Sequence, residues 1–287
     1  MDLSIVILNW KVRDLLRKCL TSVFKYTSGL TFEIYVVDNA SGDGSVEMVQ
    51  QEFPTVKLIA NDKNLGFSAG NNQALRQASG DWLLLLNPDT ELSNNALTEM
   101  VNVIKTRPKV AVLGPKLLNS DQSIQASVRR FPSLSSQIII MLKLHHVLAW
   151  LPVLKHYLMT DFDYNREQSV DQVMGAAFLL RREVLEKIGG LDERYFIWFE
   201  EVDYCRSVKD AGYDVLYTPQ AEIIHHGGES FAQVFGPAKQ KIYNASMRSY
   251  MLKHHGFLAW LVLVLLSPLS MALAWLVHWT TNKSHRS

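Results

Sequence analysis

Cysteine is scarce in this chain: Cys19 and Cys205 are the only two in 287 residues. They form no CxxC and no zinc-ligand spacing, which argues against a disulfide framework and suits a reducing compartment. An excess of either charge is also missing. With 29 basic and 28 acidic side chains the formal net charge is +1. No polyanion-binding field arises, and nucleic acid is not expected as a partner. Neither the GxGxxG fingerprint of dinucleotide enzymes nor the Walker A pattern occurs. The opening residues, Met1-Asp2-Leu3-Ser4, carry no basic lead and no small-residue cleavage site before Ile5-Val6-Ile7-Leu8. They read as a first strand and not as a signal peptide. There is no internal repeat and no low-complexity segment.

What is present, 48% hydrophobic and 20% charged residues, suits a globular chain of one large domain or two small ones. The most informative stretch is Leu83-Leu84-Leu85-Leu86-Asn87-Pro88-Asp89-Thr90. Four successive leucines suit a strand buried on both faces, and Pro88 must end it. Asp89 then stands at the carboxyl edge of a parallel sheet, where open α/β folds bind ligands; a helix cap is its plainer role. Apolar runs at Leu3–Asn9, Phe32–Val37, Val56–Ala60 and Val110–Leu113 alternate with helical patterns at Val12–Tyr26, Ser45–Phe53, Ala69–Ala78 and Asn94–Thr106. This order predicts an α/β fold with a mainly parallel, doubly wound sheet. Beyond Leu118 we expect a loop carrying Arg129 and Arg130, then a strand over Gln172–Arg181 in which Gly175 permits close backbone approach. A short helix over Arg182–Ile188 and an acid-led helix over Phe199–Ala211 follow, with short strands over Tyr213–Tyr217 and Ala221–His225.

Phe257–Trp279 is 23 residues without a formal charge. As a helix it measures roughly 35 Å, enough to cross a hydrocarbon core of about 30 Å. Trp260, Trp275 and Trp279 lie towards its ends, like an aromatic belt. Ser267-Pro268 predicts a kink or a re-entrant turn. Lys253 precedes the run and Lys283 and Arg286 follow it, so loop charge assigns no clear orientation. A buried core helix is the plain alternative. Ile138–Leu158 is apolar but interrupted by Lys143, His145, His146, Lys155 and His156. It suits a segment lying at a membrane surface, or a packed helix pair broken at Pro152.

Five polar clusters follow separate predicted strands: Asn9-Trp10, Asp38-Asn39, Asn64 to Asn72, Asn87-Pro88-Asp89 and His225-His226-Gly227-Gly228. Val37-Asp38-Asn39-Ala40-Ser41, Asn64-Leu65-Gly66-Phe67, Gly70-Asn71-Asn72 and Asn87-Pro88-Asp89, in this order, resemble the family 2 glycosyltransferases of the GT-A fold. They are most similar to its rhamnosyltransferase-type branch. The resemblance runs from Leu3 to Ser230. It implies that Asp38 accepts a hydrogen bond from the imide of a uracil or thymine, with Trp10 as a stacking face and Asn9 and Asn39 beside them. An Asx-turn is the plain role of Asp38, and packing that of Trp10. Asn64, Gly66 and Asn71 would lie against the ribose and diphosphate.

Asn87 and Asp89 fall on the DxD positions of the resembled family, where a carboxylate holds Mg²⁺ or Mn²⁺ against the diphosphate. Asn87 replaces the usual first acid and is a weaker ligand. His225 aligns with the histidine that completes such a metal site, with His226 as its rival. Phe199-Glu200-Glu201-Val202-Asp203-Tyr204 resembles the acceptor-side acidic motif, which makes Glu201 the expected base, with Glu200 and Asp203 as alternatives. Acids in a first helical turn also stabilise a helix dipole without any chemistry. Gly175, Arg129 and Arg130 are expected on the acceptor side.

The implied activity is inverting transfer of L-rhamnose from dTDP-rhamnose to a polyprenyl-diphosphate-linked glycan, at the cytoplasmic face of a bacterial inner membrane, in O-antigen-like polysaccharide synthesis. A UDP-hexose or UDP-galactofuranose donor, or a catalytically silent nucleotide-sugar-binding scaffold, are the alternatives. The expected domains are a glycosyltransferase unit at 1–235 (nucleotide-sugar half 1–118, acceptor half 119–235), a connecting helix at 236–256 and a membrane segment at 257–279, with membrane lipid as a further partner.

Overall fold

A computed structural model describes residues 1–228 and 234–284. Ser230, the expected end of the resembling region, and Arg286 lie outside the described residues. The strands are β1 (Leu3–Asn9), β2 (Phe32–Asp38), β3 (Lys57–Ala60), β4 (Trp82–Leu86), β5 (Thr90–Glu91), β6 (Val110–Leu118), β7 (Val128–Arg129), β8 (Gln168–Val170), β9 (Gln172–Val173), β10 (Ala177–Arg181) and β11 (Asp214–His225). The helices are α1 (Arg13–Tyr26), α2 (Ser45–Glu52), α3 (Phe67–Leu75), α4 (Ala96–Lys105), α5 (Leu134–Met141), α6 (Pro152–Leu158), α7 (Arg182–Ile188), α8 (Glu200–Asp210), α9 (Gly236–His255) and α10 (Phe257–Ser284).

Nine strands form the central sheet in the order β3-β2-β1-β4-β10-β6-β11-β5, with β8 joined to β11. The β3-β2-β1-β4 half is parallel, β6 and β11 are parallel to each other, and β10 runs antiparallel between β4 and β6. The fold is therefore α/β with a mainly parallel sheet. The leucine run reads as it does because its alternate side chains serve two cores. Leu84 and Leu86 pack with α1, α2 and α4 on one face, and Leu83 and Leu85 with α3, α7 and α8 on the other. Each buried leucine contributes about 1.5–3 kcal/mol relative to exposure.

Two of the expected strands change, and one apolar segment resolves into the helix pair that was its plainer reading. Gln172–Arg181 is not one strand: β9 pairs with β7 in a separate two-stranded ribbon, and β10 alone enters the sheet. Between them Met174 N donates to Ser127 O and Asn87 N donates to Ala176 O. Those tertiary partners bend the chain at Gly175. The two strands expected over Tyr213–Tyr217 and Ala221–His225 are one strand, β11, with an irregularity between Thr218 and Glu222. Ile138–Leu158 is the end of α5, a single 3₁₀ turn and α6, which Pro152 opens.

At the amino end of the strands Glu33 forms a closed network. Its carboxylate accepts from Ser4 Oγ, Ser79 N and Oγ, and Lys57 Nζ. A third core of Tyr195, Phe199, Val202, Met247, Tyr250 and Leu263, with Met141 and Ala259, joins α5, α8, α9 and α10. Thus α9 and α10 pack against the sheet-bearing body. Among the described residues one helix, from Phe257 to Thr280, is long and apolar enough to cross a membrane by length and composition. It runs unbroken through Pro268, so no re-entrant turn forms there. Ser267 Oγ instead donates to Leu263 O at 2.7 Å, one turn back.

Candidate active site

The carboxyl ends of β1 and β4 open onto a cavity of about 380 Å³, within the range of small-molecule sites. Trp10, Asn39, Asn64 and Gly66 lie on its β1–β2 side, Asn87, Asp89 and His225 at its floor, and Arg129, Gly175, Glu200 and Glu201 towards β9 and α8.

The floor is a carboxylate–imidazole pair. Because β4 stops at Leu86, Asn87-Pro88-Asp89 turns under the sheet edge, closed by Thr90 N donating to Asn87 O. His225 ends β11 beside it. Its Nε2 lies 3.3 Å from Asp89 Oδ1 and 3.3 Å from Asn87 Nδ2. Its Nδ1 lies 2.7 Å from Gln125 Oε1, and Gln125 Nε2 donates to His225 O at 3.3 Å. An amide oxygen at Nδ1 fixes the tautomer with the proton there, leaving the Nε2 lone pair on the Asp89 side; this is how metal-binding imidazoles are oriented. Gln125 was missed by sequence reasoning, for it sits in an irregular loop with no motif around it. The rival His226 is turned away, with Nδ1 2.8 Å from Ser120 Oγ and Nε2 3.4 Å from Glu91 Oε2.

Among the described residues no three His, Cys, Asp or Glu side chains converge on one point. Two protein ligands nevertheless fit a hexacoordinate Mg²⁺ or Mn²⁺, which takes one or two protein oxygens and fills the rest with substrate phosphates and water. Asp89 and the oriented Nε2 of His225 would be that donor set.

The opposite wall carries the acid pair. Trp198 (φ 66°) and Phe199 (φ 72°) are consecutive non-glycine residues in the left-handed region, a costly arrangement that clusters at functional sites. Phe199 is held by Tyr243 and Tyr250, and its carbonyl starts α8 by accepting from Asp203 N. The kink turns both Glu200 and Glu201 to the cavity. Glu200 Oε2 and Glu201 Oε2 have no hydrogen-bond partner among the described residues. Burial pushes the Glu200 carboxyl well above its usual range, and the neighbouring Glu201 charge adds to it. Burial also raises Glu201, while backbone hydrogen bonds and the Arg129 charge partly oppose the rise. Gly175 faces this pair: a Cβ there would sit 3.6 Å from Glu201 Cβ.

Gly66 cannot be replaced without movement. Its φ is +84°, and a Cβ would fall 2.4 Å from the carbonyl oxygen of Phe196. The backbone here thus packs closely on the Phe196–Trp198 segment. That segment lines the cavity and had no polar signal to mark it.

Five of the expected site residues do not line the cavity. Both Asp38 oxygens are engaged, Oδ2 by Asn9 Nδ2 at 2.8 Å and Oδ1 by Ser41 N at 2.9 Å. This is the Asx-turn geometry, and Asn9 is its buried partner. Asn71 Nδ2 donates to Phe67 O within α3. Arg130 points outward towards Asp171, 3.6 Å away. Asp203, one turn beyond the acid pair, is buried against α9, 2.7 Å from both Lys253 Nζ and His254 Nε2, and accepts from Tyr195. A carboxylate so enclosed anchors helices and does not face the cavity. Asn39 lines the cavity and stiffens it, donating to Asn64 Oδ1 and Gly66 O and accepting from Asn61.

A mainly parallel sheet with a substrate-sized cavity at its strand ends is an α/β arrangement, and likeness to solved structures makes it the GT-A glycosyltransferase fold. A mannosyltransferase from Pyrobaculum calidifontis, solved with GDP-Man and Mn²⁺, aligns over 98% of this chain and 75% of its own with a TM-score of 0.57 at 14% identity. GalNAc-T7, solved with UDP, GalNAc and Mn²⁺, aligns over 78% of this chain and 44% of its own with a TM-score of 0.58 at 16% identity. Residues 4–189 match Glycosyl transferase family 2. The chain belongs to that family and is a glycosyltransferase. It is 29% identical over 212 residues to the N-acetylglucosaminyl-diphospho-decaprenol L-rhamnosyltransferase of Mycobacterium tuberculosis, covering 69% of this chain and 67% of the relative. It is 25% identical over 181 residues to the rhamnosyltransferase WbbL of Escherichia coli, covering 60% and 65%.

Proposed function

We propose that the protein transfers L-rhamnose from dTDP-rhamnose, with inversion, to a glycan on a polyprenyl diphosphate at the cytoplasmic face of a bacterial membrane, in O-antigen-like polysaccharide synthesis. The observation that carries the reaction type is the cavity itself. An oriented carboxylate–imidazole pair stands on its floor, and a buried acid with a raised pKa and a free oxygen lines its wall. The names of the two relatives above support the sugar and the lipid-borne acceptor.

The donor base stacks on Trp10, with Asn39 and Asn64 shaping its ribose side and Asp38 fixing the loop through Asn9 and Ser41. Asp89 and His225 would hold Mg²⁺ or Mn²⁺, which would supply positive charge to the leaving diphosphate. Glu201 takes the acceptor hydroxyl's proton, and its raised pKa brings it nearer the working pH, where a general base is most effective. The hydroxyl oxygen attacks the anomeric carbon opposite the diphosphate, the C–O bond to the diphosphate breaks, and a β-linked donor gives an α-linked product. One base suffices, and no sugar–enzyme bond forms. Glu200, Gly175 and Arg129 shape the acceptor side, Arg129 with its charge available to an acceptor diphosphate. The catalytic unit is proposed as residues 1–235, with a nucleotide-sugar half at 1–118.

The test is transfer to a lipid-diphosphate-linked GlcNAc acceptor from a panel of nucleotide-sugars, with and without Mg²⁺ or Mn²⁺. Turnover confined to dTDP-rhamnose is expected. Turnover with a UDP-sugar alone discards rhamnose, and donor binding without any turnover favours a scaffold.

A further inference from the structure

The helix long enough to cross a membrane is accompanied by a polar one. α9 and α10 form an antiparallel hairpin about Gly256, whose φ of +85° lets the chain reverse. Arg248 Nη1 donates to Ser267 Oγ at 2.8 Å, and Asn244 Nδ2 to Ser270 Oγ at 3.1 Å. At the far end the Phe235 ring lies 5.2 Å from Trp275 and 4.3 Å from His278. The 20 residues of α9 therefore run beside the whole apolar stretch, over roughly 30 Å. The sheet-bearing body is attached at the same depth: Ser270 Oγ also donates to the carbonyl of Met141, the last residue of α5. If α10 crossed a bilayer in this arrangement, Arg248, Asn244 and the end of α5 would sit near its centre, with Lys241 and Lys239 also in hydrocarbon. Charges there are costly and need an aqueous or paired setting, yet Lys241 is exposed.

The outer face of α10 has the opposite character. Leu258, Leu265, Leu269 and Leu276 recur at helical spacing on one side and are 76%, 70%, 50% and 55% exposed. The inner side buries Ala259, Leu263, Ser270 and Ala274. A neighbouring segment adds Val147 and Trp150, both exposed. It follows α5 directly and is tied to α9 by Lys143 Nζ donating to Gln240 Oε1.

We infer that α10 is an in-plane membrane helix: it lies in the boundary between head groups and acyl chains, its outer leucines in lipid and both its ends on one side of the membrane. The adjoining α9 carries Lys239, Lys241 and no acidic residue, a charge complementary to anionic lipid, and the exposed rings of Trp150 and Trp275 suit the interface. A second copy of the chain, bearing the same lysines, lacks that complementarity. The inference rests on the membrane-face part of the proposed function and not on its donor or its chemistry.

The test uses the full chain in spheroplasts with two single thiols, Thr280→Cys at the end of the apolar stretch and Lys18→Cys on the exposed side of α1, and a membrane-impermeant maleimide; the native Cys19 and Cys205 are buried. Protection of both thiols until lysis, with release of the protein by alkaline carbonate, is expected. Labelling at position 280 in intact spheroplasts means a spanning helix and overturns the inference. In a second measurement, Leu265→Glu/Leu269→Glu is expected to weaken binding of the purified protein to phosphatidylglycerol vesicles by about tenfold or more, with nucleotide-sugar turnover retained. Unchanged vesicle affinity, or a dimer in lipid-free buffer that this variant dissociates, overturns it. Failure of the wild type to bind vesicles removes the membrane-face reading as well, while sugar transfer, read separately, tests the enzymatic one.

Discussion

Two buried acidic sites sit in different halves of this molecule and are built in opposite ways. Glu33, at the amino end of the sheet, is enclosed by donors. Burial alone would raise its pKa, but Lys57, Ser4 and Ser79 bring it down to about 2. Glu200 and Glu201, at the cavity wall, are enclosed by apolar surface and each other, and burial raises both. A carboxylate meant to hold a fold has its lone pairs filled. One meant to accept a proton from a substrate has to keep an oxygen free, at a cost in stability. The same residue type is thus fully hydrogen-bonded in one half and left with an unpartnered oxygen in the other, as the base proposed for Glu201 requires, and only its surroundings distinguish the two.

The sharpest way to break the comparison is Glu201→Gln. Loss of the base should lower transfer by about 10³-fold with the fold retained by circular dichroism; near-normal turnover would move the base to Glu200. Asp89→Ala should lower turnover by about 10²-fold and abolish the broadening of the His225 imidazole resonances by Mn²⁺. Persistent broadening would place the metal elsewhere. Glu33→Gln should instead cost about 2 kcal/mol of stability in denaturant unfolding, since it weakens several charge-assisted hydrogen bonds, while leaving kcat of the folded fraction unchanged.

Glu200→Gln gives the smallest effect and the opposite sign, a gain of about 1 kcal/mol at neutral pH, because it removes a buried carboxyl whose ionisation favours the unfolded chain. The pH slopes should oppose each other as well. Glu33 is depressed when folded, so its contribution is complete above the unfolded value near 4.5 and is lost as pH falls towards 2. Glu200 is raised when folded, so its ionisation penalises the fold as pH climbs above 4.5 through the raised value. Unfolding of the two variants against wild type between pH 3 and 9 checks both slopes. Parallel slopes would refute the distinction.

Much of the fold was legible in local pattern. β4 announced itself through four leucines and a terminating proline, and the alternation of β1, α1, β2 and α2 followed apolar spacing closely. The cavity lining was legible where polar residues fall at or just after a strand end, as with Asn87, Asp89 and His225. It was illegible where a side chain's direction depends on distant partners. Asp38 and Asp203 occupy motif positions as suggestive as Asp89, yet Asn9 with Ser41 encloses the one and Lys253 with His254 the other. Gln125 and the Phe196–Trp198 segment carry no local signal; the sheet and α8 bring them to the cavity.

By itself, the sequence determined the elements: which runs are buried on two faces, where proline and glycine stop them, and which polar residues fall at strand ends. These follow from side-chain periodicity and backbone sterics, which act over a few residues. Tertiary structure alone decided which carboxylates keep a free oxygen and what lies beside the apolar helix. Both depend on groups brought from elsewhere in the chain: Arg248 opposite Ser267, Met141 beneath Ser270, and Gly175 and Arg129 beside Glu201. Desolvation and charge pairing are properties of the space around a group, and only the assembled fold fixes that space.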